Sequence, residues 1–124
     1  MKITIFVGVV LLSLILPGKA GAQATTGNEI QSKCKQLLND NESFSSGFCA
    51  GFVDGVVDSQ DMWEASDKMQ NRSHVQSFCL PGKSTNGQLV RVFIKYLDDH
   101  PERLNEPAAL LLVESLRKAF PCGK

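Results

Sequence analysis

Four cysteines constrain this chain of 124 residues more than any other feature. They stand at Cys34, Cys49, Cys79 and Cys122, all downstream of an apolar N-terminal run. An even number of cysteines in a small exported domain predicts two disulfides, and four cysteines allow three pairings. The alternative is a metal site, but no C-x-x-C pair and no neighbouring histidine completes a ligand set. The sequence therefore predicts a disulfide-stapled domain with no metal and no cofactor.

The N-terminal segment has the features of a secretory signal. A lysine precedes a nearly continuous apolar run over residues 3–16, and small residues follow it. This pattern predicts a signal peptide over residues 1–24 that is cleaved after Ala22 or Ala24. An uncleaved anchor is the alternative, but the apolar run is shorter than the roughly 20 residues that span a bilayer. We therefore expect a periplasmic protein whose single mature domain is residues 25–124 and is not bound to the membrane.

The charge balance argues against two classes of partner. The whole chain has 13 basic and 13 acidic residues, and the leader holds two of the basic ones and none of the acidic ones. The mature part therefore carries a formal charge of −2. This charge gives no reason to expect nucleic acid as a partner, and no basic cluster is present to bind anionic lipid.

Apolar residues recur at helical spacing in four segments, which predicts an all-α fold. The first helix is expected over about residues 28–38 and the second from about Ser43. The pattern weakens over residues 59–83 and returns at a capping box formed by Thr85 and Gln88.

The end of the third helix and the start of the fourth are marked by proline and by capping residues. Pro101 disfavours helical geometry at the residue before it, so the third helix should end over residues 98–100. Asn105 is expected to be the N-cap of the fourth helix, with Glu106 and Pro107 in its first turn. Pro121 should end that helix. The predicted fold is a compact bundle of two antiparallel helical hairpins.

This layout selects one disulfide pairing. Cys34 lies in the first helix and Cys49 early in the second, across a short turn, so the two should be neighbours. Cys79 precedes the third helix and Cys122 follows the fourth, which places both at the same end of the second hairpin. We therefore expect Cys34 to pair with Cys49 and Cys79 with Cys122.

Two rows of residues on the second helix invite interpretation. Gly47, Gly51 and Gly55 lie in register, and each glycine costs a helix roughly 0.5–1 kcal/mol relative to alanine. We expect a crossing helix to pack on this glycine row, the alternative being a shorter or kinked helix. A second row, formed by three aspartates, is predicted to be a solvated face and less readily a cation site. Its members are Asp54, Asp58 and Asp61.

The sequence offers little for catalysis, so we expect a protein that is not an enzyme. His74 and His100 could in principle pair with a cysteine nucleophile, but oxidised cysteines leave no thiolate. No known hydrolase or phosphate-binding motif is present. By elimination, we expect the protein to work by recognising a partner. The surface best suited to that contact is the turn over residues 98–107, which combines opposite charges with two prolines that stiffen it. A merely solvated connector is the alternative for this turn.

Several segments together resemble the Rap/Tai family of immunity proteins, which accompany type VI secretion effectors of Gram-negative bacteria. The resemblance extends from Cys34 to Cys122, with the cysteines at matching places. The segments are GFCAGFVDG (47–55), FCLP (78–81), QLVRVFIKYL (88–97), HPERL (100–104), EPA (106–108) and AFPC (119–122).

The resemblance implies a periplasmic helical homodimer that binds a toxic peptidoglycan amidase of the papain-like cysteine type. It further implies that an extended loop blocks the active-site cleft of the amidase, and by motif that loop falls at residues 98–105. The residues expected to contact the partner are therefore Asp98, Asp99, His100, Glu102, Arg103 and Asn105. The alternative function is that of an orphan periplasmic protein with a chaperone-like or envelope accessory role.

Overall fold

A computed structural model describes residues 23–39 and 42–123 of the chain. The predicted signal peptide lies outside the described residues except for its last two positions. These described residues form four helices: α1 (Gly27–Leu38), α2 (Phe44–Met69), α3 (Asn86–Asp99) and α4 (Ala108–Ala119). A 3₁₀ turn (Pro101–Arg103) joins α3 to α4. The predicted all-α fold is confirmed, and none of the described helices is long and apolar enough to cross a bilayer.

Side-chain caps set the start of three helices. The Thr26 side chain accepts from the Glu29 backbone N–H, and the Glu29 carboxylate accepts from the Thr26 N–H, so α1 begins with a complete capping box. Ser43 caps α2 by accepting from the Ser46 N–H. Thr85 caps α3, as predicted.

The predicted cap of α4 is wrong. The helix begins at Ala108, three residues beyond Asn105, and Pro107 occupies the N-cap position without a side-chain hydrogen bond. The Asn105 side chain is engaged elsewhere, because its Oδ1 accepts from Asn28 Nδ2 at 3.2 Å. The local pattern assigned the Asn105 side chain to the end of the helix, but in the structure that side chain contacts Asn28, which is far away in the chain.

The hairpins pack as predicted, α1 chiefly against α2 and α3 against α4, with α1 and α3 also in contact. Their shared core is made of apolar side chains from all four helices together with Phe78, which enters from the segment between α2 and α3. Its largest fully buried members are Phe78, Phe93, Ile30, Leu97, Leu111, Leu112, Leu116, Val53 and Val90.

Helix α2 runs for 26 residues, well past the point where its sequence pattern fades. All its buried residues lie in the first half, and the second half lies against the non-helical segment 70–80. Gln60 fastens that segment, since its Oε1 accepts from the N–H groups of Ser77 and Phe78 and its Nε2 donates to the Phe78 carbonyl. A polar clamp explains why apolar periodicity gave no signal there.

Both disulfides have the predicted pairing. The first joins Cys34 to Cys49 with their Cα atoms 5.1 Å apart, and both residues are fully buried. The second joins Cys79 to Cys122 with a Cα separation of 4.9 Å. The first disulfide fixes α1 to α2, and the second closes the chain around the α3–α4 hairpin.

The glycine row of α2 does not do what its spacing suggested. A Cβ atom built on Gly47, Gly51 or Gly55 meets nothing within 4 Å, and all three residues are exposed. The predicted crossing helix is therefore absent from the described residues. The reason is that α2 turns Cys49 and Val53, on its opposite side, toward the core. The shorter helix weighed as an alternative is also not found, because α2 is a single continuous helix.

Candidate functional site

The turn over residues 98–107 leads from α3 to α4 and lies against the start of α1. The Leu104 carbonyl accepts from the Asn28 N–H at 2.9 Å, and the Glu106 carbonyl accepts from the Gly27 N–H at 3.0 Å. The first N–H groups of any α-helix have no partner inside the helix. The turn therefore supplies the acceptors that α1 needs, and α1 in turn fixes the backbone of the turn.

Gly27 makes this close approach possible. A Cβ atom at position 27 would lie 3.0 Å from both the Cα and the carbonyl oxygen of Leu104, and 2.8 Å from Leu111 Cδ1. Two of these three atoms belong to backbone, which cannot move aside as a side-chain tip can. Gly27 is thus the glycine on which the position of the turn depends.

An arginine network closes the far side of the turn. Arg103 donates from Nε and Nη2 to the two carboxylate oxygens of Glu106, at 2.8 and 2.6 Å. Its Nη1 donates to Glu114 Oε2 and to the Tyr96 hydroxyl oxygen, and that hydroxyl itself donates to Glu114. We call Arg103, Glu106, Glu114 and Tyr96 the arginine network.

The electrostatics of the network are consistent with stable ion pairs. The pKa of the Glu106 carboxyl and that of Glu114 are both lowered, chiefly by hydrogen bonds from Arg103. The pKa of the Arg103 guanidinium is raised by the same carboxylates, Glu106 first. Because an arginine fork matches carboxylate geometry, the network holds the turn in one orientation.

Two of the predicted contact residues tie the turn to α1 through side chains. Asp98 Oδ1 accepts from Lys35 Nζ and from Gln31 Nε2, each at 2.8 Å. Asn105 accepts from Asn28. Both therefore position the turn, whatever else they contact.

The side chains that project from the turn are those of Asp99 and Glu102. Asp99 pairs with Lys95 at 2.9 Å, and this hydrogen bond lowers the pKa of the Asp99 carboxyl. The Glu102 side chain is 64% exposed, and its Oε1 lies 3.2 Å from His100 Nδ1. A hydrogen bond from its own backbone, followed by that from His100, lowers the pKa of Glu102. The His100 ring packs on Tyr96 with 4.5 Å between centroids.

The structure therefore brings all six predicted contact residues into one turn but gives them different roles. Asp99, Glu102 and His100 border solvent at its tip. Arg103 is turned inward, with only 27% of its side chain exposed. The turn is therefore a braced element, and its contact with a partner stays a prediction.

A family model for Rap1a immunity proteins matches residues 26–122, which is most of the chain. The chain belongs to this family. The match begins at Thr26, the cap of α1, and ends at Cys122, so it includes the turn, the arginine network and both disulfides. The resemblance to the Rap/Tai immunity proteins is thus confirmed. Comparison with curated proteins and with solved structures gives no match.

Membership of the Rap1a family assigns this protein an immunity role, in which it binds a protein effector. The alternative sites considered from the sequence are consistent with that role. All four cysteines are in disulfides, so no thiol is left to act as a nucleophile. Over residues 23–39 and 42–123, no group of three or more His, Cys, Asp or Glu side chains is placed to hold a metal ion. Asp54 of the aspartate row accepts from Asn86 at 2.6 Å and so links α2 to α3.

Sequence reasoning assigned no part in holding the turn to four residues that do hold it: Gly27, Tyr96, Glu106 and Glu114. Gly27 had a usable signal, because Thr26 and Glu29 form a capping-box pattern that places the glycine at the first position of α1. The partners of Arg103 had no comparable signal. Glu106, Tyr96 and Glu114 lie three, seven and eleven residues from Arg103 in the chain, and the folded hairpin brings them together around its guanidinium.

Proposed function

We propose that this protein is a periplasmic immunity protein that binds a type VI peptidoglycan amidase effector of the papain-like cysteine type and blocks its active-site cleft with the turn over residues 98–107. The observation that carries this proposal is the bracing of the turn. Backbone hydrogen bonds to α1, the Asp98–Lys35 pair and the arginine network hold it from three sides. A segment held in its binding conformation loses little freedom on entering a cleft, which favours tight binding.

The tip of the turn has the composition expected of a segment that occupies a cleft. Pro101 is exposed and fixes its own backbone angle, and Glu102 beside it projects into solvent. The turn holds four carboxylates and one arginine. Glu106 pairs with that arginine, Asp98 with Lys35 and Asp99 with Lys95, so Glu102, beside His100, is the carboxylate most available to a partner. We therefore expect the amidase surface that faces Glu102 to be basic, which would speed association at low salt.

The proposed compartment follows from the disulfides and the leader. Disulfides persist in oxidising compartments such as the periplasm, and both disulfides here join separate parts of the fold. A cleavable signal peptide over residues 1–24 would deliver the chain there. The protein would act by stoichiometric binding and not as an enzyme.

We further propose that the protein is a homodimer formed through the exposed side of α2. Phe44, Met62 and Met69 lie along this side and are 85%, 63% and 80% exposed, and the open glycine row lies among them. Large apolar side chains exposed along one side of a helix suit an association site. The glycines would then admit the close approach that they lack within one chain.

The dimer can be tested by light scattering at several protein concentrations. A wild-type mass of twice the chain, reduced to one chain by Met62→Glu, would support the α2 interface. Because Asp58 is also on the exposed side of α2, added salt should strengthen association by screening the repulsion between copies. A wild-type monomer at all concentrations would reject the dimer without touching the proposed role of the turn.

The function itself is tested by co-expression with an amidase. Each papain-like peptidoglycan amidase found in the same genome is directed to the periplasm in turn; the cognate one should lyse cells, and this protein should prevent lysis. Glu102→Lys should weaken protection, whereas Glu42→Lys, the same charge reversal at an exposed position far from the turn, should not. Equal protection by both variants would place the interface elsewhere.

The exposed apolar side of α2 also suits the alternative, a chaperone-like periplasmic role. Such a protein would suppress the aggregation of unrelated unfolded proteins, most strongly on acidification. An immunity protein would instead bind a single partner tightly at neutral pH. An aggregation assay with an unrelated client therefore separates the two functions.

A further inference from the structure

A groove runs between α3 and α4 and opens beside the proposed blocking turn. Its volume is about 210 Å³. Val92, Ala119 and the Tyr96 ring give it an apolar surface, and three charged side chains stand around it. The complete lining is Val92, Lys95, Tyr96, Asp99, Ser115, Lys118 and Ala119. Asp99 belongs to both the groove and the turn, so the two surfaces are continuous.

The size of the groove limits what can enter it. A dry cavity of about 150 Å³ is large enough to bind benzene. The groove can therefore accept one phenyl ring or one branched aliphatic side chain. The Ser115 hydroxyl donates to the Leu112 carbonyl at 2.8 Å, so its hydrogen is already used.

The charges beside the groove favour an anion. Lys95 is paired with Asp99, whereas Lys118 has no carboxylate within salt-bridge distance among the residues that the structure describes. Lys118 Nζ lies 6.0 Å from the centroid of the Tyr96 ring, which places its charge over the groove. Two lysines and one aspartate leave one positive charge in excess.

We propose that the groove is a second contact for the effector and takes an apolar side chain that is flanked by a carboxylate on the rim of the effector's cleft. This inference rests on the proposed function, because the occupant is the same partner that receives the turn. The continuity of the groove with the turn supports one occupant for both. The groove is cationic and the tip of the turn is acidic, so together they would fix the orientation of the complex.

The test measures binding of a papain-like type VI amidase from the same genome, with its catalytic cysteine replaced, to the mature disulfide-bonded protein. Lys118→Glu reverses the free charge, and Ala119→Trp fills the groove. Each should weaken binding at least tenfold. The matched controls are Lys83→Glu, on an exposed loop outside both surfaces, and Ala109→Trp, on the opposite flank of α4 from Lys118. Both controls should bind as the wild type does, and circular dichroism should show every variant folded.

The possible results separate this inference from the proposed function. If Glu102→Lys weakens binding while Lys118→Glu and Ala119→Trp do not, the groove is not a contact and the function stands. If the groove variants alone weaken binding, the groove is a contact and the blocking role of the turn is wrong. If the wild-type protein does not bind the amidase, both proposals fall.

Discussion

Replacing Gly27 with alanine should destabilise the protein although alanine is the better helix former. The added methyl group would lie 3.0 Å from the Cα and carbonyl oxygen of Leu104, closer than packed atoms normally approach. The contact can be relieved only by moving the turn away from α1, and that movement stretches the hydrogen bonds from Gly27 and Asn28 to the turn.

The expected magnitude follows from two opposing effects. Overpacking a filled site costs about 1–3 kcal/mol, whereas glycine to alanine in a helix gains about 0.5–1 kcal/mol at most. Position 27 is the first residue of α1, where helix propensity counts least, so the overpacking cost should prevail. A net loss of about 1–2 kcal/mol in the free energy of unfolding corresponds to a fall in Tm of roughly 4–16 °C for a domain of this size.

Thermal unfolding followed by circular dichroism, with the disulfides intact, measures this loss. Gly87→Ala is the matched control, since it makes the same chemical change in the first turn of α3, where an added Cβ meets only the flexible Arg91 Nη1, at 3.6 Å. That variant should be at least as stable as the wild type. A Gly27→Ala variant as stable as the wild type would show that the turn is not positioned by close contact with α1.

Three further results are expected. Removing the Cys79–Cys122 disulfide by paired serine substitution should lower the free energy of unfolding by about 1 kcal/mol more than removing the first disulfide, because it spans 43 residues and the first spans 15. Denaturant titration measures both losses, and an equal or reversed order would contradict this expectation. The carboxylates of the arginine network have lowered pKa values, so the stability they contribute is present above their unfolded pKa of about 4.3 and is lost as the pH falls below it. Thermal melts between pH 6 and pH 3 should therefore show a smaller acid-induced fall in Tm for Arg103→Gln than for the wild type, and equal falls would show that the network does not contribute. Effector binding by Gly27→Ala, measured at a temperature where the variant is folded, should be weaker than that of the wild type, and unchanged affinity would mean that the exact position of the turn is unimportant.

Local patterns in the sequence were enough to predict most of the fold. Cysteine count and helix order together selected the Cys34–Cys49 and Cys79–Cys122 pairings, and the capping pattern at Thr85 placed the start of α3. These features depend on short stretches of chain or on the ends of hairpins. In such places the chain connection itself decides which residues become neighbours in the fold, so the sequence is enough to predict the contact.

The errors arose where distant residues decide the outcome. The spacing of Gly51 and the other glycines of its row indicated a face of small residues on α2, but the sequence did not show whether another helix covers that face. Asn105 had the chemistry of a helix cap, yet Asn28 took its side chain. The ion pairs of Arg103 with Glu106 and Glu114 likewise had no local signal, and the role of Arg103 in binding a partner stays a prediction.

The central proposal is that the braced turn blocks an amidase. The most direct measurement is inhibition of peptidoglycan cleavage by a papain-like type VI amidase from the same genome, titrated with the mature protein and with its Glu102→Lys variant. Complete inhibition at one immunity protein per amidase, with an inhibition constant at least tenfold weaker for Glu102→Lys and unchanged for Glu42→Lys, is the predicted result. An amidase that remains fully active in the presence of excess wild-type protein would contradict it.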